Sequence, residues 1–272
     1  MLKPVFILGV GAQKAGTTWL WNTLNEQPFS NMGFTKEYHV WDAKFSELGS
    51  RFRANVEKPY RAVIAMRRIM QIDETTYLKY FQSLIHQQVT LTGDITPSYA
   101  FLDESALRYI KDLVEKRGGF DLKVIFLLRD PVERVWSALG MQQRNLEKSD
   151  RPISGKQREN NFEHALTASG SRALTNYSET IKTLEKVFEP EQLHYEIYET
   201  LFSETAMTRL QEFIGRRFEI EPKFMERIND SKFSALPKKL RKMGEHAFAD
   251  EYDFCAKRFP ETTSLWSAKS AR

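Results

Sequence analysis

The chain has one cysteine, no long apolar run and little excess of either charge, and each scarcity excludes a class of protein. Cys255 stands alone, so an internal disulfide is impossible, and a solitary thiol favours a reducing, cytoplasmic setting. No stretch approaches the roughly 20 consecutive apolar residues that a membrane-spanning helix needs. The short apolar run in Met1 to Gly9 has no small-residue cleavage site after it, so it reads as a first core strand and not as a leader. A net charge of +4 with no Lys/Arg block suits an anionic small ligand but is too weak to argue for nucleic acid. His86, His164, His194 and His246 show no metal-ligand spacing, and no metal is expected. A nucleophile triad and a dinucleotide fingerprint are equally missing.

What remains is a chain of 272 residues, 41% hydrophobic and 12% aromatic, enough for a sizeable core within one domain spanning 1–272. A mean hydropathy of -0.50 and 28% charged residues fit a water-soluble globular protein. Val5 to Val10 is an unbroken β-branched and apolar run, the signature of a strand buried on both faces of a parallel sheet. Small residues follow from Gly11 to Gly16, and Thr17 to Asn25 then places Leu20, Trp21 and Leu24 on one side of a helix. A second strand-turn-helix lies far downstream. Lys123 to Leu128 is again a buried-strand run, ended by Arg129. Asp130 then supplies an N-cap, Pro131 suits the first helical position, Glu133 completes a capping-box pattern, and Val132, Val135, Trp136 and Leu139 recur at helical spacing.

Between these units the pattern predicts helices over 60–70 and 75–88, a strand over 89–95 and an amphipathic helix over 103–116. Beyond them, 145–160 is polar with Pro152 and Gly155 and reads as a mobile loop. A helix over 171–188, a strand over 193–198, a helix over 200–215 and a mainly helical stretch after Pro237 complete the chain. Strands alternating with helices imply an α/β, P-loop-like three-layer fold with a central, mainly parallel sheet flanked by helices.

A small-residue turn between strand and helix offers backbone N–H groups and the positive helix end to an anion. A kinase loop would carry Gly-Lys-Ser/Thr at its end. Here Gly16 precedes Thr17 and Thr18, and the lysine sits earlier, at Lys14, where it can meet charge developing on a departing phosphate oxygen. Taken alone, such a loop is also compatible with an ordinary turn and a solvated lysine. Arg129 closes a buried strand at its carboxyl end, where open α/β sheets hold ligands, and Ser137 lies about two helical turns further on. A planar guanidinium and a hydroxyl suit a second phosphate.

The string Gly11-Ala12-Gln13-Lys14-Ala15-Gly16-Thr17-Thr18-Trp19-Leu20 resembles the 5′-phosphosulfate loop of sulfotransferases that use 3′-phosphoadenosine-5′-phosphosulfate (PAPS), particularly the heparan-sulfate-type and related bacterial branch. Leu128-Arg129-Asp130-Pro131-Val132-Glu133-Arg134-Val135-Trp136-Ser137 resembles the 3′-phosphate motif of the same family, which implies that Arg129 and Ser137 bind that phosphate; Arg134 is given no role. Thr35-Lys36-Glu37-Tyr38-His39-Val40-Trp41-Asp42 is similar to the family segment whose glutamate is the base. The resemblance thus implies PAPS as co-substrate, held by Lys14, Ala15, Gly16, Thr17, Thr18, Trp19, Arg129 and Ser137, with no metal. It makes Glu37 the base, Lys14 the cation beside the leaving phosphate, Lys36 a contact near the sulfate and His39 an aid in orienting the acceptor.

Gly93-Asp94-Ile95-Thr96-Pro97-Ser98-Tyr99 is a partial match to a further site segment, and it makes Asp94 and Tyr99 candidates for touching substrate. Ile95 stands where the family has a lysine, which argues for an acceptor less anionic than heparan. That acceptor would be a hydroxyl- or amine-bearing glycan or small metabolite. A late closing segment beginning at Asn229-Asp230-Ser231-Lys232 is a weaker match. Two other readings of the residues stay open at this point, a small-molecule kinase and a nucleotide-binding protein without turnover.

Overall fold

The computed structural model describes residues 3–54, 62–147, 154–220, 224 and 235–270. Four parallel strands form one sheet, β1 (Val5–Gly11), β2 (Leu91–Ile95), β3 (Asp121–Leu128) and β4 (Leu193–Ile197), in the spatial order β2-β1-β3-β4. The uninterrupted apolar runs have the cause expected of them. Every residue of β1 and β2 is buried, because helices cover both faces of the sheet; at the start of β3 Asp121 is exposed and Lys123 half-buried, and at the β4 edge Leu193 to Tyr195 are half-buried.

The helices are α1 (Thr17–Asn25), α2 (Trp41–Phe45), α3 (Ala62–Ile72), α4 (Glu74–Ser83), α5 (Glu104–Asp112), α6 (Pro131–Glu147), α7 (Gly155–Thr167), α8 (Ser169–Ala173), α9 (Tyr177–Val187), α10 (Glu204–Ile214), α11 (Lys238–Ala247), α12 (Ala249–Arg258) and α13 (Glu261–Ser270). Among the described residues, none is long and apolar enough to cross a membrane. The main core lies between sheet and helices; Phe6, fully buried on β1, meets Phe81 at 5.0 Å and Phe120 at 5.5 Å between ring centres. A second apolar cluster joins α6, α7 and α11 through Val132, Val135, Trp136, Phe162 and Leu240.

Several expectations change. The loop expected over 145–160 is mostly helix on either side of 148–153, which lie outside the described residues. α6 runs on to Glu147, and α7 begins at Gly155 with the Ser154 hydroxyl capping Gln157 N at 3.2 Å. The single helix expected over 171–188 is two, parted at Leu174 to Asn176, where the Thr175 hydroxyl donates to Ser171 O at 2.7 Å. The helix over 103–116 holds its α form to Asp112 and widens into one π-turn at Leu113–Arg117. The Asp130 cap is present, accepting from Glu133 N at 3.0 Å. Its reciprocal half is not: Glu133 turns instead to Arg129 at 3.8 Å and Arg241 at 3.5 Å. The late segment expected to begin at 229–232 lies outside the described residues.

The strand order fixes where a ligand goes. From β1 the chain crosses to β2 on one side, then returns to place β3 on the other. The loops after β1 and β3 therefore part from each other at the carboxyl edge of the sheet, the usual binding crevice of an open α/β sheet.

Candidate active site

Gly16 is the hinge of the first loop. It caps α1 with φ +98, a conformation that favours glycine, and a Cβ there would sit 2.5 Å from Leu201 Cδ2. Two hydrogen bonds tie the loop down: Ala12 N donates to Leu127 O at 2.7 Å, and Ala15 N to Ala12 O at 3.1 Å. The short side of the loop thus faces a cleft lined by Lys14, Gly16, Thr17, Thr18, Trp19, Arg129 and Ser137. Both ends of the sequence pattern, far apart along the chain, open onto one space.

Arg129 does more than line it. Its Nη1 donates to the Lys14 carbonyl at 2.8 Å, and its guanidinium lies 4.4 Å over the Tyr198 ring. Tyr177 Oη donates to the Arg129 carbonyl at 2.8 Å, and Arg129 Nε has no partner among the described residues. The fork is thus aimed and still has capacity for an acceptor oxygen. Burial, then the positive charges of Arg144, Arg129 and Lys36, push the Lys14 ammonium down to about 8, against an opposing pull from Glu37. So many cations in one cleft create a demand for a polyanion.

Lys36 and Glu37, whose side chains pair with each other, also line this cleft. Glu37 and His39 both sit in left-handed backbone, at φ +65 and +53, which throws their side chains off the path of an ordinary turn. His39 lies between two carboxylates, with Nδ1 2.7 Å from Asp42 Oδ2 and Nε2 3.5 Å from Glu37 Oε2. Its ring stacks on Phe52 at 3.8 Å, and fully buried Asp42 also takes the Ser98 hydroxyl. Burial alone would lower the basicity of His39, but Asp42 and Glu37 outweigh it and raise it above 6.5. Glu37 is affected in the other direction. Burial works to raise its carboxyl, yet His39 and Lys36 together hold it at about 2.

Not every expected residue reaches the cleft. Ala15 is fully buried with its N–H spent inside the loop, so it contributes no donor. His39 does not line the space and touches it only through Glu37. Asp94 and Tyr99, expected to meet substrate, are core residues. Asp94 accepts hydrogen bonds from Thr96 Oγ1 at 2.6 Å, Tyr99 Oη at 2.7 Å and Tyr77 Oη at 3.1 Å, and burial raises its carboxyl to about 6 against those bonds. Its oxygens are committed, so it holds a neighbour and no ligand. Tyr99 in turn accepts from Val40 N at 3.3 Å, which fastens the loop carrying Glu37 and His39 to β2.

Gln13, Pro97, Met141, Tyr198 and Phe202 also line the cleft, none of them picked out from the sequence. Tyr198 had a readable signal, since it ends a strand at the same edge as Arg129. The others follow from loop geometry. Among the described residues, no three His, Cys, Asp or Glu side chains are gathered to hold a metal ion.

The family described as "Sulfotransferase domain" matches residues 3–243, most of the chain. The crystal structure of a sulfotransferase from Alicyclobacillus acidocaldarius is 20% identical with a TM-score of 0.62, covering 100% of this chain and 97% of that one. The sulfotransferase domain of the Synechococcus PCC 7002 olefin synthase is 18% identical, covers 89% of this chain and 93% of that one, and gives a TM-score of 0.45. A sulfotransferase from Mycobacterium avium is 13% identical, covers 93% of this chain and 77% of that one, and gives 0.49. No curated protein sequence matches the chain.

Proposed function

Because this chain belongs to the sulfotransferase domain family, we propose that it moves a sulfuryl group from PAPS to a hydroxyl or amine of a glycan or small-metabolite acceptor. The observation carrying this reading is the convergence of Lys14, Arg129 and Glu37 on one cleft. PAPS bears a phosphate on either side of its ribose, and the cleft offers a cationic grip for each. Thr17, Thr18 and the start of α1 suit the 5′ end; Arg129 and Ser137 suit the 3′-phosphate.

In the proposed step the acceptor oxygen or nitrogen attacks sulfur in line. A new bond to sulfur forms as the bond from sulfur to the 5′-phosphate oxygen breaks, releasing adenosine 3′,5′-bisphosphate. Lys14 stabilises the charge that grows on that oxygen. The acceptor's proton goes to Glu37. A carboxylate held at about 2 is a weak base, and the sulfate remedies this by drawing Lys36 toward itself, so that Glu37 gains basicity once the donor is bound. His39, whose basicity Asp42 raises, holds the Glu37 carboxylate in position.

The test is a thermal-shift comparison followed by a transfer assay. Adenosine 3′,5′-bisphosphate at 100 times its Kd should raise stability by ~2.7 kcal/mol, while ATP with Mg²⁺ has little effect. Labelled sulfate should then pass from PAPS to members of an acceptor library. Stronger stabilisation by ATP would favour the kinase reading and overturn this one; firm bisphosphate binding with no transfer to any acceptor would leave a nucleotide-binding protein without turnover.

A further inference from the structure

A second cavity, of about 490 Å3, adjoins the first, and Gln13 and Met141 line both. Met141 is also where Lys14 touches the shared wall, with Nζ 3.9 Å from Sδ. The cavity lies between α6, α7 and α8, with Arg51 reaching in from the short turn at Ser50–Phe52. Its size is in the range of small-molecule sites. Its walls are partly apolar, from Val135, Ala138, Leu139 and Leu174.

Its charge is one-sided. Arg51, Arg134 and His164 line it, and among the described residues no aspartate or glutamate does. Arg134 is the informative residue, only 1% exposed. Its Nη2 donates to Ser171 O at 3.3 Å and Ser171 Oγ at 3.2 Å, while Nε and Nη1 have no partner among the described residues. Burial lowers its affinity for a proton to about 10, and Arg129 adds to that; Tyr177 opposes it, and no carboxylate contributes. A buried guanidinium usually faces a carboxylate or phosphate, because an unpaired buried charge is costly. Here the described residues supply no counter-charge, and a lined space adjoins the side chain.

We propose that this cavity is the acceptor subsite and that Arg134 holds an anionic group of the acceptor, a carboxylate or a phosphate or sulfate ester, while the acceptor's nucleophile points past Met141 toward the sulfate. The identity of the occupant rests on the sulfuryl-transfer reading; the charge it must carry does not. The subsite connects to the base through packing as well, since Arg51 lies 4.8 Å over the Phe52 ring and Phe52 stacks on His39.

The experiment saturates the protein with adenosine 3′,5′-bisphosphate, so that the nucleotide's anion grips are filled, then titrates benzoate, phenyl phosphate and benzamide by calorimetry. Benzoate, phenyl phosphate or both should bind at least about tenfold tighter than benzamide, and which anion wins separates a carboxylate from a phosphate-type ester. The preference should disappear in Arg134→Met. Equal binding of all three probes to wild type would overturn the proposal, as would a preference that survives in Arg134→Met. Should Arg134→Met fail to fold by circular dichroism, Ala138→Phe fills the cavity without touching the buried charge, and benzoate binding that persists in it refutes the site. If the bisphosphate itself does not bind, the nucleotide reading falls, and the same benzoate and benzamide titrations on the free protein still decide the cavity.

Discussion

The strained charge of Lys14 gives a prediction that can be worked to a number. In the free protein its ammonium titrates at about 8, against an ordinary 10.5, because burial and Arg144, Arg129 and Lys36 all disfavour the cation. A bound bisphosphate puts opposite charge beside it and should restore the ordinary value. At pH 9 the free lysine is then ~10% protonated and the bound one ~97%, so binding takes up ~0.9 proton; at pH 7 the uptake is only ~0.1. Affinity should fall about tenfold per pH unit above 8, and the full gap of about 2.5 units corresponds to ~3.4 kcal/mol. Calorimetry at pH 9 in two buffers of different ionisation enthalpy measures the uptake directly. At that pH the phosphates, with second ionisations near 6, are fully deprotonated and contribute no proton of their own. An uptake below ~0.2 proton at pH 9, or the same uptake in Lys14→Met, would refute the reasoning.

Two further outcomes follow from the assigned roles. Glu37→Gln should lower turnover by ~10²–10⁴-fold while the Kd for adenosine 3′,5′-bisphosphate stays within about twofold; steady-state rates with labelled PAPS check it, and unchanged turnover removes Glu37 from the mechanism. Arg129→Ala strips charge-assisted contacts from the 3′-phosphate and should weaken the bisphosphate by ~3 kcal/mol, with much less change for adenosine 5′-monophosphate; equal bisphosphate affinity in mutant and wild type contradicts that assignment.

Which features were readable from sequence depended on whether their causes were local. β1 and β3 were legible because burial on both faces leaves an unbroken apolar run, and each runs into a turn whose chemistry names itself, Gly16 in one and Arg129 with Asp130 in the other. The break between α8 and α9 was not, because it turns on a Thr175 hydroxyl choosing the backbone of Ser171. Pro152 and Gly155 suggested a loop, yet Ser154 caps a helix that begins at Gly155 itself, a choice stabilised by packing Phe162 against Trp136 at 5.7 Å. In the site, Lys14, Lys36 and Arg129 could be picked out by pattern as candidates, and the structure brings them to one cleft. The fate of Asp94 could not, since only three dimensions bring Tyr77, Thr96 and Tyr99 onto its oxygens. Arg134 had no meaning in one dimension either: its significance comes from what fails to stand opposite it.

Lys14 holds a backbone conformation with φ +70 that a residue with a side chain adopts only when its surroundings insist. Part of that insistence is the strut from Arg129 to its carbonyl. A donor shortened by one phosphate would leave the strut's far end slack, and the lysine it steadies would aim less truly at the leaving oxygen. Discrimination between donors would then be enforced in the speed of the chemical step as well as in how long each one stays.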